Sequence, residues 1–307
     1  MQITASLVKE LREMSGAGMS ACKSALVEAE GDIKRATEIL REKGLAAAAK
    51  KAGRVAAEGL VATSISECQK MGAIVEVNSE TDFVAKNEDF VAFVKQIANE
   101  ALTSDATTVD ELLLSKWTPD PTQTIKEVIT HKIATIGENI GLRRFAKYQT
   151  DGLIVDYIHG AGRIGVMLEI TAEEITNAVA EAGRNICMQI AAMNPLYLDR
   201  DAVPADYLTS EREILTQQAN NENAESIKPK PPQVMEKIIE GRLSKQLKEI
   251  CLLDQEYVKD DKKTVSAYLK AVGKGVKILR FTRYERGEGI EKKEEDFAAE
   301  VQKAMNV

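Results

Sequence analysis

The chain has 307 residues, 29% of them charged and 44% hydrophobic, with a net charge of −7. That length predicts two or three domains with real hydrophobic cores, and the acidic balance argues against direct nucleic-acid binding, which needs clustered Lys and Arg. Four scattered cysteines (Cys22, Cys68, Cys187, Cys251) with only His131 and His159 beside them argue against a zinc site and a disulfide framework and fit a reducing cytoplasm, and no cofactor is expected. No apolar run approaches the roughly 18 residues of a membrane span, and the first residues read as an amphipathic helix rather than a signal peptide, so a soluble cytoplasmic protein is expected.

Residues 1–53 read as a helical bundle. Thr4 is a good N-cap, with Ile3 and Val8 as a hydrophobic staple and Leu7, Val8, Leu11 and Met14 as an apolar stripe. Ser15-Gly16-Ala17-Gly18-Met19 breaks this helix, and Ser20 is the expected cap of a second one carrying Cys22, Ala25, Leu26 and Ala29. Gly31 ends it, Asp32 caps a third with Ala36, Ile39 and Leu40 facing inward, and Gly44 is the expected stop. Three short helices with a Gly-Met turn resemble a ubiquitin-associated bundle, a fold that does not by itself name a ligand. Met19 is either folded onto its own bundle or an adaptable contact residue. Residues 45–56 form an Ala-Lys-rich connector.

An α+β pattern then occurs twice. In residues 54–148, Gly59–Ser66 and Ala73–Val77 read as strands joined by a turn, followed by a helix from Glu88 capped by Asn87. Helices near Val109–Leu114 and Ile125–Ile136 and a strand Leu142–Tyr148 complete this half. In residues 149–286 the strands Leu153–Ile158 and Ile164–Ile170 flank a turn at His159–Gly162, and a helix from about Glu173 to Ala192 follows. Strand–turn–strand–helix in duplicate predicts two related halves, each a small antiparallel sheet covered by helices. An insertion near 195–250 reads as a projecting helical hairpin, Ala205 to Asn220 and Gln233 to Glu249, with Ile214, Met235, Ile238, Ile239 and Leu243 as its seam. Thr264 caps a further helix, Val276–Tyr284 alternates as a strand, and residues 287–307 end in an amphipathic helix from about Lys292 to Met305.

Between the Ala73–Val77 strand and the Glu88 helix lies Thr81-Asp82-Phe83-Val84. Two readings of it stand. Asp82 caps the turn while Phe83 folds into the core, or the pair projects outward as a wedge for a partner. Gly160-Ala161-Gly162-Arg163-Ile164-Gly165 spells the dinucleotide fingerprint, but that fingerprint needs a helix after it, and Ile164, Val166, Leu168 and Ile170 alternate as a strand. There is no P-loop, no metalloprotease motif and no nucleophile elbow. No enzyme is indicated.

Several motifs in fixed order resemble the elongation factor Ts family. They are Ile3–Arg12, Gly16-Ala17-Gly18-Met19, Thr81-Asp82-Phe83-Val84-Ala85-Lys86-Asn87, Ile136-Gly137-Glu138-Asn139, His159-Gly160, Arg163–Val166, and Gly287–Glu291 leading into Asp296–Glu300. The resemblance implies a non-enzymatic guanine-nucleotide exchange factor that binds elongation factor Tu. It implies that Arg12, Met19 and Lys23 dock on the partner's nucleotide-binding domain. Thr81, Asp82, Phe83 and Val84 would dislocate its Mg²⁺, and His159 would face another of its domains. The hairpin matches the family's protruding element, a surface for homodimerisation or partner contact. Departures are a longer turn at Glu67-Cys68-Gln69, a longer segment at 221–232, and Ser20 and Lys259 where many members carry Met. A rival reading is a non-catalytic adaptor whose bundle binds another protein. A third is a hydrolase using Cys187 or Cys251 with a histidine.

Overall fold

The computed structural model describes residues 3–226 and 228–291. The expected C-terminal helix from Lys292 lies outside them. Three helices come first: α1 (Ala5–Ser15), α2 (Met19–Glu28) and α3 (Ile33–Lys51). Thr4 caps α1, and Asp32 caps α3 by accepting from the amides of Lys34 and Arg35. Their core is Val8, Leu11, Cys22, Ala25, Leu26, Ala29, Ala36 and Ile39.

Three local expectations fail. The cap of α2 is Gly18, not Ser20, because the chain already turns helical at Met19. Met14 is 65% exposed rather than part of the stripe, outside the bundle core that Val8 and Leu11 join. Gly44 does not stop α3. It is buried with Ala134 Cβ 3.5 Å from where its own Cβ would stand, so the glycine is a point of close helix approach. The extended end of α3 lies on α7 (Ile125–Ile136), where Lys51 donates to the Ile133 carbonyl (3.3 Å) and Arg41 pairs with Glu127.

The remainder is α+β, built from two halves of the same topology. The first half has β1 (Glu58–Ile65), β2 (Met71–Ser79), the one-turn α4 (Asp82–Ala85), α5 (Glu88–Thr103), α6 (Val109–Leu114), a short hairpin β3 (Lys116–Trp117) and β4 (Asp120–Thr124), α7, and β5 (Gly141–Gln149). The second has β6 (Leu153–His159), β7 (Ile164–Thr171), α8 (Asn177–Met193), then α9 (Ala205–Ala224) and α10 (Pro232–Ile250). It closes with a hairpin β8 (Glu256–Tyr257) and β9 (Asp260–Thr264), α11 (Val265–Val272) and β10 (Lys277–Glu285). Sheet order is β1-β2-β5 in one half and β6-β7-β10 in the other, all antiparallel.

The correspondence reaches single residues. Glu76 on β2 lies opposite Arg144 on β5, and Glu169 on β7 lies opposite Arg280 on β10, each beside a register shift at the same place. The short hairpins share one register, Trp117 facing Asp120 and Tyr257 facing Asp260. Each is clamped by a buried polar residue on the helix behind it. Glu100 of α5 accepts from the Thr118 amide (3.0 Å), and Gln189 of α8 accepts from the Val258 amide (2.8 Å).

The two sheets pack face to face, with α5 and α8 on the outside. On β2, Ala73, Val75 and Val77 face α5, while Ile74 joins Val61, Tyr148, Ile154 and Met167 between the sheets. This explains why β2 is buried along nearly its whole length rather than on alternate residues. Close approach depends on two equivalent glycines. A Cβ on Gly72 would stand 2.6 Å from Ile154 Cγ2, and one on Gly165 would collide with Val61 Cγ1. The second glycine of that pair ends the fingerprint-like run, so its role is sheet packing, and Gly160 to Gly162 form the β6–β7 turn.

At the rim of this interface the halves interlock. Arg144 pairs with Glu76 (2.5 Å) and stacks over Tyr284 of the other half at 4.2 Å, while Arg280 pairs with Glu169 (2.6 Å) and stacks over Tyr148 at 4.0 Å. Each guanidinium therefore neutralises its own half and covers a ring of the other. α9 and α10 form the expected hairpin, but Ile214 is 44% exposed and Leu215 takes its place in the seam with Ala219, Met235 and Ile239.

Candidate functional site

β2 delivers the chain to the exposed junction. Glu76 is fully buried and accepts from Arg143 (3.0 Å), Arg144 (2.5 Å), Asn78 Nδ2 (3.1 Å) and the Gly287 amide (2.8 Å). Ser79, the last residue of the strand, donates through its hydroxyl to the Thr81 carbonyl (3.1 Å). Thr81 then caps α4, its hydroxyl accepting from the Val84 amide, so one helical turn starts directly at the strand's end. Within that turn the side chains sort sharply. Ala85 is buried, Val84 packs on the first-half core, and Phe83 is 82% exposed. The core reading of Phe83 is thus wrong. Four residues of helix can turn only one face to the core, and Val84 and Ala85 occupy it.

Asp82 pairs with Lys86 one turn later (2.6 Å). The lysine's hydrogen bond, aided by its charge and that of Arg286, holds the Asp82 carboxyl below the usual carboxylate range. A carboxylate, not a carboxylic acid, therefore stands beside the exposed ring at neutral pH.

The turn is held from behind by the segment between α7 and β5. Glu138 Oε2 accepts from the amides of Glu80 (3.1 Å) and Thr81 (3.0 Å), and its Oε1 accepts from the Thr81 hydroxyl (2.6 Å). In return the Asn139 amide donates to Glu80 (2.5 Å), and Asn139 Nδ2 donates to the Arg54 carbonyl (2.8 Å). In the sequence, Glu138 and Asn139 are motif residues with no evident task. Their signal was a Gly-Glu-Asn run after a helix stop, which pattern alone reads as a loop.

The other expected contact residues lie on separate elements. Arg12 and Lys23 are exposed on α1 and α2, and Met19, the first residue of α2, is 48% exposed and outside the bundle core. With Lys23 and Val27 (59% exposed), Met19 lines one face of α2 at helical spacing. His159 is exposed where β6 ends, its Nδ1 3.1 Å from the Tyr157 hydroxyl. The structure thus joins Thr81, Asp82, Phe83 and Val84 in one turn and distributes Arg12, Met19, Lys23 and His159 over the bundle and the β6–β7 turn.

The cysteines of the hydrolase reading lie inside hydrophobic clusters. Cys187 and Cys251 are buried, and burial pushes both thiols up, away from the nucleophilic thiolate. Among the described residues no group of His, Cys, Asp and Glu could hold a metal ion, and no helix is long and apolar enough to cross a membrane.

An exposed aromatic thus stands on a short, heavily hydrogen-bonded turn, flanked by a carboxylate, on a duplicated α+β scaffold. The family profile described as Elongation factor TS matches residues 80–288. The chain is 53% identical over 308 residues to the Elongation factor Ts of Clostridium botulinum (strain Alaska E43 / Type E3), covering 99% of both chains. It is 54% identical over 308 residues to that of Clostridium acetobutylicum, covering 99% of this chain and 98% of the other. The chain belongs to the elongation factor Ts family and is a translation elongation factor.

Proposed function

We propose that the protein is a guanine-nucleotide exchange factor that binds elongation factor Tu–GDP and promotes release of GDP and Mg²⁺. The observation that carries this reading is Phe83, a large apolar ring left 82% exposed at the tip of a fixed turn in a chain of this family. An isolated ring in water is ordinary. One presented by a turn with seven hydrogen bonds around Ser79, Glu80, Thr81 and Asn139 is organised to enter another surface.

In this reading Asp82 and Phe83 enter beside the partner's Mg²⁺ and phosphate site, with Thr81 and Val84 fixing their approach. The ring displaces partner structure, and the ionised Asp82 disfavours the phosphates. Mg²⁺ is the largest local charge in such a site, so disturbing its coordination weakens nucleotide binding. The factor binds the nucleotide-free form of its partner more tightly than the GDP form. By linkage, GDP then weakens factor binding by the same amount. A nanomolar nucleotide complex represents about 12 kcal/mol, and one ring cannot offset several kcal/mol of that alone. Arg12, Met19 and Lys23 on the bundle and His159 on the second half supply the remaining contacts. The protein works in the cytoplasm, by binding, without a cofactor and without catalytic side-chain chemistry.

The test is release of fluorescent GDP from elongation factor Tu. Substoichiometric amounts of this protein should accelerate release with turnover. Release at the spontaneous rate would refute the proposal.

A further inference from the structure

The internal duplication isolates what the first half has acquired for its task. Aligning Glu76 with Glu169, both opposite the paired arginine of the last strand, brings Glu80 onto Glu173. The helix cap Asn87 follows Glu76 by eleven positions, whereas the cap Thr176 follows Glu169 by seven. The first junction is therefore four residues longer, and α4, with Asp82 and Phe83, is four residues long. A second difference faces it. Seven residues before the paired arginine, Gly137 and Gly273 end the equivalent helices α7 and α11. Glu138 follows the first glycine and Lys274 the second.

Among the described residues, the junction in the second half is tied by backbone: the Glu173 amide donates to the Lys274 carbonyl (3.2 Å). In the first half the Glu138 carboxylate takes the equivalent Glu80 amide, the Thr81 amide and the Thr81 hydroxyl. The scaffold needs no carboxylate at this point, because its twin closes without one. Glu138 accompanies the extra turn, and it holds the Thr81 that caps it.

We infer that Glu138 is a positioning residue for exchange. Its carboxylate fixes Thr81 so that α4 presents Phe83 in the orientation that enters the partner, and it acts through Phe83 rather than through a contact of its own. This rests on the proposed role of Phe83. A fixed ring enters without first being ordered, which lowers the cost of reaching the exchange-competent complex. Docking patches on the bundle and on the β6–β7 turn are untouched by Glu138. Its loss should therefore act on the maximal rate more than on the concentration dependence.

The experiment is stopped-flow release of fluorescent GDP from elongation factor Tu over a range of factor concentrations, with thermal unfolding of each full-length variant. Glu138→Ala should lower the rate at saturation by about tenfold while the half-saturating concentration moves less than about twofold. Glu138→Gln keeps a carbonyl oxygen for the two backbone amides and should recover most of the rate. The double variant Phe83→Ala with Glu138→Ala should be no slower than Phe83→Ala alone, because the two residues act in series. Slow Phe83→Ala together with full-speed Glu138→Ala would overturn the positioning role and leave the site standing. Effects that multiply in the double variant, or a Glu138→Gln protein as slow as Glu138→Ala, would also overturn it. Full-speed Phe83→Ala would remove the site itself, and the positioning role with it.

Discussion

Phe83 and Phe90 are seven residues apart and make opposite predictions for the same substitution. Phe90 is fully buried in the first-half core, and Phe83 is 82% exposed. Truncating Phe90 to Ala removes core contacts and leaves a cavity, at a cost of roughly 3–5 kcal/mol. Phe83→Ala removes almost nothing from the free protein, so its stability should change by less than about 0.5 kcal/mol. In the complex the balance reverses. A phenylalanine ring taken from water into a partner contributes about 1.5–3 kcal/mol, which is roughly a 10- to 150-fold loss in catalysed GDP release. The assay pairs thermal unfolding of both variants with stopped-flow exchange. Phe83→Ala should melt with the parent and exchange slowly, whereas Phe90→Ala should melt several degrees lower. A Phe83→Ala protein that melts early, or that exchanges at the parent rate, would refute the assignment of this ring to the partner.

Other expectations concern the scaffold and its titrating groups. Glu76→Ala strands Arg143 and Arg144 beside a buried strand and should cost about 3 kcal/mol or more, whereas Glu169→Ala, with one partly exposed arginine partner, should cost clearly less in denaturant titrations. Gly165→Ala puts a methyl group against Val61 and should lose roughly 1–3 kcal/mol through overpacking, read from the same titrations. Asp82 should titrate below the ordinary carboxylate value of about 3.9 in NMR, and Lys86→Ala should bring it back up. Because the folded value is the lower one, the stabilisation of this pair is present above the unfolded value and disappears as pH falls through the folded one. Cys68 is the exposed thiol, and a hydrogen bond from Ser66 draws its pKa down, so alkylation of the native protein should modify Cys68 and spare Cys22, Cys187 and Cys251 by mass spectrometry.

Much of the fold was legible because its signals are local. Thr4, Asp32, Asn87 and Thr264 announce helix starts through side chains that accept backbone amides, and alternation marks β6, β7 and β10. The duplication was visible as a strand–turn–strand–helix repeat. Its finer half, Arg144-Phe145-Ala146-Lys147-Tyr148 against Arg280-Phe281-Thr282-Arg283-Tyr284, went unnoticed because the reason for it is a crossing of partners between halves, which no single segment displays. Gly44 misled for a related reason: the same residue that ends helices also lets two of them touch. Phe83 stayed ambiguous because an aromatic after a strand is usually core, and only the length of α4 decides which residues face inward. Glu138 could not be found from sequence. Its meaning lies in three donors more than fifty residues earlier in the chain.

The exchange of rings between halves has a consequence for how the protein is made. When β5 has left the ribosome, the first half holds all three of its strands, yet the face with Val61, Ile74 and Tyr148 still lacks its cover. Tyr148 meets Arg280 only after the projecting hairpin and β10 have been synthesised. Ile154 and Met167 of β6 and β7 can supply that cover early, but β7 keeps an unpaired edge and the second-half core lacks Val276 and Ile278 for the whole of that interval, a natural target for chaperones. Truncation before β10 should give insoluble protein rather than a smaller folded one. The hairpin insertion, which separates β7 from β10 in sequence, sets how long that vulnerable period lasts.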